Sequence, residues 1–331
     1  MQRRCTALAL MVGGLVAAMA GAAPGRGAAA PAVVHDPLAV AAQRITLRVG
    51  ILPVTAVLGI YLARDWGWLE EEGLIPDIQI LAGGAEIVPA MIGGSLDVGI
   101  VNTFTHVLAR DQGFDVKAVA VGIAERRGEP IHAILVRPDA PIQSARDLEG
   151  RTLAVNTLNN IDHLMQQVWL QNNGADPRRV NFVEIPFPQH PVALMQGRVD
   201  AIGPAEPFVT VAQSQGARVL AYHYTDTNEV TLLSYYGALG DWIARNTDTV
   251  RRFARALHRV SMYLESNPEE KRAAAVRYLN LTPDVAARVR FEELQTRVDP
   301  ELVQWWIDAG RRFGLVNNPL NPADFLYETV R

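Results

Sequence analysis

Apolar residues recur along this chain in two alternating rhythms. Short runs rich in Val, Ile and Leu, "ITLRVGI" (45–51), "IPDIQIL" (75–81) and "LDVGIV" (96–101), read as buried strands. Between them, "LGIYLARDWGWLEEEG" (58–73) and "AEIVPAMIGG" (85–94) place apolar residues at helical spacing and close on glycines suited to a left-handed stop. The order then returns: "RTLAVN", "IDHLMQQVWLQNNG", "NFVEIP", "PVALMQG" and "VDAIG" follow one another between residues 151 and 203. Alternating strands and helices of these lengths predict two similar α/β lobes, each a doubly wound parallel sheet with right-handed crossovers. From about residue 245 the pattern is helical, in "DTVRRFARALHRVSMYLESN", "PEEKRAAAVRYL", "PDVAARVRFEEL" and "DPELVQWWIDAGRRFG".

The second set of elements is in register with the first. Asp97 and Asp200 lie 103 residues apart, as do Gly94 and Gly197, and Gly113 and Gly216. "WLEEEG" (68–73) matches "WLQNNG" (169–174) at an offset of 101. One Gly turn matched this way is unremarkable; four in register indicate a repeated unit.

In open parallel sheets ligands sit beyond the carboxyl ends of the strands. That rule nominates "LPVT" (52–55), "VNTFTH" (101–106), "NTLNNID" (156–162) and "GPAEPF" (203–208), segments rich in Asn, Thr, Pro and aromatics. The candidate ligand-binding residues are Pro53, Thr55, Asn102, Thr103, Phe104, Asn156, Thr157, Asn159, Asn160, Glu206, Phe208 and Tyr235. Several have an ordinary alternative. Asn102, Thr103 and one of the Asn156–Asn160 group fit as helix N-caps. Phe104, Phe208, Tyr235 and Tyr236 fit as core, two of the four being expected in the cleft. Glu206, between Pro204 and Pro207, either accepts from a ligand amino group or bonds backbone donors and fixes its loop. Trp66, Trp68 and Trp169 read as core, His106 and His132 as packing or capping residues near the cleft, and Arg126 and Arg127 as solvated charge. Helix N-termini at the cleft would offer free N–H groups to a carboxylate, sulfonate or other anionic group.

Composition narrows the class. The chain has 331 residues, 49% hydrophobic, with net charge −4 and no basic stripe, so nucleic acid is not an expected partner. "MQRR" before "CTALALMVGGLVAAMA", closing on Ala18-Met19-Ala20, has the form of a secretory signal over 1–20, cleaved rather than kept as an anchor. An Ala/Gly/Pro-rich leader follows to residue 43. Cleavage would remove Cys5, the one cysteine, along with Arg3 and Arg4. G-x-S-x-G, H-E-x-x-H, P-loop and helix-opening G-x-G-x-x-G motifs are absent, and the seven histidines show no metal spacing, so neither cofactor nor metal is expected.

"GGSLDVGI" after a helix, "DLEGRTLAVNTLNN" and "QGRVDAIGPAEPF" together resemble the solute-binding proteins of ABC importers. The branch is the one binding sulfonates, taurine, nitrate or thiamine-precursor pyrimidines, and the resemblance spans about 44–331. It implies a type II periplasmic binding protein fold, two lobes around a ligand cleft with a helical C-terminal part. It also implies a periplasmic monomer that captures a small organic or oxyanionic solute and delivers it to a membrane permease and ATPase. Lobe 1 is then expected over 44–130 and about 240–331, and lobe 2 over 131–239, with "IHAILVR" (131–137) and "TLLSYYGAL" (231–239) as crossovers. For Glu206 the resemblance favours the structural role. The same fold also carries pyrimidine synthases and dehydratases, and an exported sensor domain is a third possibility. The first relies on a lysine, a histidine and a cysteine motif, whereas Lys117 and Lys271 lie outside the nominated loops; the second is mainly cytosolic.

Overall fold

The repeated Gly-x-x-Asp does one mechanical job twice. The structure, a computed structural model, describes residues 44–331; the expected signal and leader lie outside them. Gly94 and Gly197, at φ 75° and 69°, end helices in the left-handed conformation that favours glycine. Three residues on, Asp97 Oδ2 accepts from the Arg48 N–H at 2.8 Å and Asp200 Oδ2 from the Thr152 N–H at 2.9 Å. Their own N–H groups donate to the carbonyls of those residues, at 2.9 and 3.0 Å. Each aspartate thus stitches the end of one helix–turn to the first parallel strand of its lobe, at Ile45–Ile51 and Thr152–Val155.

Lobe 1 runs β1 (Ile45–Ile51), α1 (Leu58–Asp65), α2 (Trp68–Glu71), β2 (Leu74–Ile80), α3 (Gly84–Ile92), β3 (Val98–Asn102), α4 (Thr103–Asp111) and β4 (Val116–Arg126). The helix expected over 58–73 is broken in two at Gly67, whose φ of 75° interrupts the helical path. Lobe 2 runs β5 (Ile134–Val136), β6 (Thr152–Val155), α5 (Ile161–Asn172), β7 (Asn181–Glu184), α6 (His190–Met195), β8 (Ala201–Ile202), α7 (Phe208–Ser214) and β9 (Arg218–Ala221). The chain then continues through β10 (Val230–Leu239), α8 (Gly240–Arg245), α9 (Thr247–Ser266), α10 (Pro268–Leu279), α11 (Pro283–Ala286), β11 (Glu293–Gln295) and α12 (Pro300–Arg312).

The two sheets share one topology. Lobe 1 orders its strands β11-β4-β10-β3-β1-β2, and lobe 2 orders them β9-β5-β8-β6-β7. β1 pairs in parallel with β2 and β3, and β6 in parallel with β7 and β8, while an antiparallel strand is slotted in at the equivalent place, β10 between β3 and β4 and β5 between β8 and β9. That strand comes from the other side of a crossing: β5 follows lobe 1, and β10 follows lobe 2. The crossing segments are therefore 127–133 and 222–229, just ahead of the expected ones, and β10 belongs to the sheet of lobe 1. Lobe 2 ends near residue 229 rather than 239.

Strand alternation builds the core on both sheet faces. In lobe 2, Ile134, Val136, Leu153 and Ala201 pack in one cluster while Leu135, Ala154 and Ile202 pack in the other. The C-terminal part packs largely on lobe 1: α9 lies against α1 and β4, and β11 adds an edge strand to β4. "PDVAARVRFEEL" was expected as one helix. Only residues 283–286 are helical, because Glu293–Gln295 pairs with Gly122–Ala124 and takes the β period instead. Among the described residues, no helix is long and apolar enough to cross a membrane.

Candidate functional site

A cavity of about 620 Å³, counting its mouth, lies where the strand ends of the two lobes face one another. Lobe 1 supplies Leu52, Val54, Thr55 and Ala56 after β1, Ile100 and Asn102 at the end of β3, Ile123 of β4, and Leu233 and Ser234 of β10. Lobe 2 supplies Asn156, Asn160, Ile161 and Asp162 between β6 and α5, together with Phe187, Ala205 and Glu206. Ile131 and His132, on the first crossing, complete the wall.

The polar groups are held by the helix starts. Asn102 Oδ1 caps α4 by accepting from the Thr105 N–H at 2.8 Å, and Asn160 Oδ1 caps α5 by accepting from the His163 N–H at 2.9 Å. The Asn160 amide donates to the Asn156 side-chain carbonyl, which turns both amides to the cavity wall. Glu206 Oε2 accepts from the Thr210 N–H at 3.0 Å, and Oε1 from the Thr210 hydroxyl at 2.8 Å. Burial pushes the Glu206 carboxyl up to about 7, those bonds and Arg290 offsetting part of the effect.

Behind the cavity sits a chain of buried polar groups joining both lobes and both crossings. Glu125 Oε2 of β4 is 2.6 Å from His132 Nδ1, and His132 Nε2 is 3.6 Å from Asp162 Oδ1. The Tyr224 hydroxyl, on the second crossing, donates to Asp162 Oδ1 at 2.8 Å, and its ring lies 4.3 Å from that of His132. Burial works against a charged His132, but Glu125, Asp162 and Glu206 together outweigh it and raise the imidazole above its usual value. Burial raises Asp162 as well, against the opposing influence of His132. His223, fully buried beside this group with no partner for either ring nitrogen among the described residues, is driven well below its usual value by burial and by the His132 charge.

Of the twelve nominated residues, the structure brings Thr55, Asn102, Asn156, Asn160 and Glu206 to the cavity wall. The others lie off it. Thr103 is buried with its hydroxyl donating to the Leu232 carbonyl, and Phe104 is fully buried 6.2 Å from the Trp306 ring. Tyr235 is fully buried with its hydroxyl 2.5 Å from His106 Nδ1, because it points to the opposite face of β10 from its neighbour Ser234. Phe104, Tyr235 and Tyr236 belong to the core of lobe 1 rather than to an aromatic pocket. Pro53 and Phe208 are half-buried beside the wall, and Thr157 faces Gly83. Asn159 is exposed, at φ 55°, with its N–H bonded to His163. His132 and Ser234 lie outside the segments that the loop rule nominates. Asp162 lies within "NTLNNID" but reads as an ordinary first-turn acid. Arg126 and Arg127 pair on the surface with Glu293 and Glu229, as expected of solvated charge.

Residues 54–271 match the family model described as NMT1/THI5 like, a span that covers both sides of the cavity. The chain belongs to the NMT1/THI5-like family. Among solved structures, it is similar to the alkanesulfonate-binding protein of Xanthomonas axonopodis pv. citri bound to MOPS, with a TM-score of 0.74 at 19% identity over 86% of this chain and 99% of that one. The periplasmic aliphatic sulphonate binding protein of Escherichia coli superposes with a TM-score of 0.69 at 21% identity, over 86% and 98% of the two chains. A ligand-binding component of an ABC-type import system from Staphylococcus aureus gives 0.70 at 15% identity, over 85% and 96%. The NMT1/THI5-like chain thus has the two-lobed periplasmic binding protein fold, and its cavity lies between those lobes.

Proposed function

We propose that this protein is an exported solute-binding protein that closes two lobes around a small organic solute and delivers it to an ABC-type importer. The observation that carries the reading is the cavity itself. It is walled by equivalent strand ends of two repeated lobes, with apolar side chains around a few fixed polar groups, as small-molecule sites are. Neither lobe alone could bury a solute, which explains why the unit occurs twice. Family membership and the solved neighbours support the reading, and the signal-like N-terminus supports export to the periplasm. The permease and ATPase of such an importer are the partners this role requires.

Catalysis is the weaker reading on geometric grounds. His132, the one histidine on the cavity wall, is bonded through Nδ1 to Glu125, so that nitrogen is not free to take a substrate proton, and its Nε2 stands 3.6 Å from Asp162 Oδ1. Among the described residues, no group of three or more His, Cys, Asp or Glu side chains is placed to hold a metal ion. The test is to incubate the purified protein with a small-molecule extract, remove the unbound fraction, and identify what it retains by mass spectrometry. A compound retained unchanged supports binding; one recovered chemically altered would replace this reading with an enzymatic one.

A further inference from the structure

A second enclosure lies within lobe 1, sharing only Ala56 with the cavity between the lobes. It measures about 340 Å³, counting its mouth, and Leu58, Ile60, Leu257, Val260 and Leu294 make its sides. Three polar side chains line it from different elements: Tyr236 of β10, Lys271 of α10 and Glu292 just ahead of β11, 3%, 7% and 5% exposed. The Tyr236 hydroxyl and Glu292 Oε2 meet no hydrogen-bond partner among the described residues. The bonds of Lys271 Nζ are long, 3.4 Å to Glu265 Oε1 and 3.5 Å to the Glu292 carbonyl. The Ser261 hydroxyl, on the same wall, is satisfied by the Leu257 carbonyl at 2.8 Å. Buried polar groups are normally paired, so an unpaired hydroxyl and an unpaired carboxyl oxygen on one enclosure call for a third party.

The backbone makes room for it. In the β4–β10 pairing Tyr235 faces Gly122 and Tyr236 faces Ala120, which leaves Val121 as the extra residue of a bulge. Val121 lines the enclosure at φ 37°, a conformation that β-branched residues rarely adopt and that gathers at functional sites. Leu264, Lys271 and Glu292 also line an open groove of about 680 Å³ that runs past Phe291 to Arg126, so the enclosure adjoins a route to solvent.

We propose that this enclosure is an accessory ligand site, separate from the inter-lobe cavity, for a small neutral molecule with a primary amide on a short apolar body. The amide carbonyl accepts from the Tyr236 hydroxyl and the Lys271 ammonium, its NH2 donates to Glu292 Oε2, and the body lies against Leu257, Val260 and Leu294. A carboxylate in the same place would meet the Glu292 carboxyl, and an ammonium would meet Lys271. A neutral group that carries a donor and an acceptor side by side answers both without burying a further charge. The site stands whether or not the inter-lobe cavity holds a solute.

The test is an NMR titration of the full-length, methyl-labelled protein with isobutyramide, isobutyrate and isobutylamine, which share a skeleton and differ in charge. Isobutyramide is expected to bind most tightly of the three and to give intermolecular NOEs to the methyls of Leu257, Val260 and Leu294. NOEs confined to Leu52, Ile100 and Leu233 of the inter-lobe cavity, or no NOE to either set, overturn the site. Tighter binding of isobutyrate or isobutylamine at the Leu257 and Leu294 methyls overturns the neutral assignment. Tyr236→Phe removes a hydroxyl that bonds nothing in the chain, so the variant should unfold at the same urea concentration as wild type while isobutyramide binds it about threefold more weakly or worse. Unchanged affinity in that variant overturns the assigned contact. The wild-type NOEs decide the location even where a variant fails to fold.

Discussion

Replacing Glu206 with Gln should flatten the pH dependence of stability in a direction that the structure dictates. A carboxyl held at about 7 instead of the usual 4.5 binds its proton about 3 kcal/mol more tightly in the folded chain than in the unfolded one. Below pH 4.5 both states are protonated and this contribution is present in full. Between 4.5 and 7 the unfolded chain ionises while the folded one stays neutral, so stability falls; above 7 the contribution is lost. Glutamine is neutral throughout and can still accept from Thr210. The difference in unfolding free energy, wild type minus Glu206→Gln, should therefore drop by about 3 kcal/mol between about pH 4.5 and about pH 8. Urea unfolding of both proteins across that range measures it, and the subtraction removes the contributions of groups that Glu206 does not influence. Parallel curves would refute the reasoning, since they would mean that Glu206 titrates alike in the folded and unfolded chains. The local field around Glu206 would then be wrongly described.

Other perturbations separate scaffold from site. Asp97→Ala removes the Arg48 main-chain bond and both guanidinium bonds, at 3.0 and 2.6 Å, and should cost about 2–3 kcal/mol in urea unfolding. Asp200→Ala, whose side chain is 30% exposed and whose arginine stands 3.9 Å away, should cost about 1 kcal/mol. Phe104→Ala should lose about 3–5 kcal/mol by leaving a hole beside Trp306, and calorimetry should find affinity for the retained solute unchanged. Gly83→Val should leave unfolding within about 0.5 kcal/mol, because its backbone is extended at φ 175°. It should weaken solute affinity several-fold, since the Cβ would stand 3.1 Å from Asn156 Nδ2 across the two lobes; calorimetry against wild type decides.

The architecture was readable in the sequence because backbone requirements are written in residue type. Gly94 and Gly197 mark left-handed helix ends, and the aspartates three residues on mark where each lobe is tied together. Side-chain direction at the strand ends was less readable. The rule that ligands lie beyond the strands nominates whole segments, but a strand turns alternate side chains to opposite faces, which sends Ser234 to the cavity and Tyr235 to the core. At β3 the helix begins at Thr103 and winds Thr103 and Phe104 away, leaving Asn102 on the wall. His132 and Asp162 escaped for another reason: their significance lies in facing each other and Glu125 across elements distant in the chain. Nothing local distinguishes Asp162 from any acid that complements a helix N-terminus.

The duplication also explains why charge was the hardest feature to foresee. The repeat preserves what each lobe needs to fold, the glycine stops and the stitching aspartates, and these are equivalent on both sides. The cavity wall is not symmetric. Lobe 1 brings the neutral Thr55, Asn102 and Ser234, whereas lobe 2 brings Asp162 and Glu206 with Asn156 and Asn160. One side is neutral; the other also carries two carboxyls. The difference arises because the repeat constrains the turns that tie each lobe together and not the strand-end side chains that face the cavity, so the register of the two halves does not foretell which groups line it.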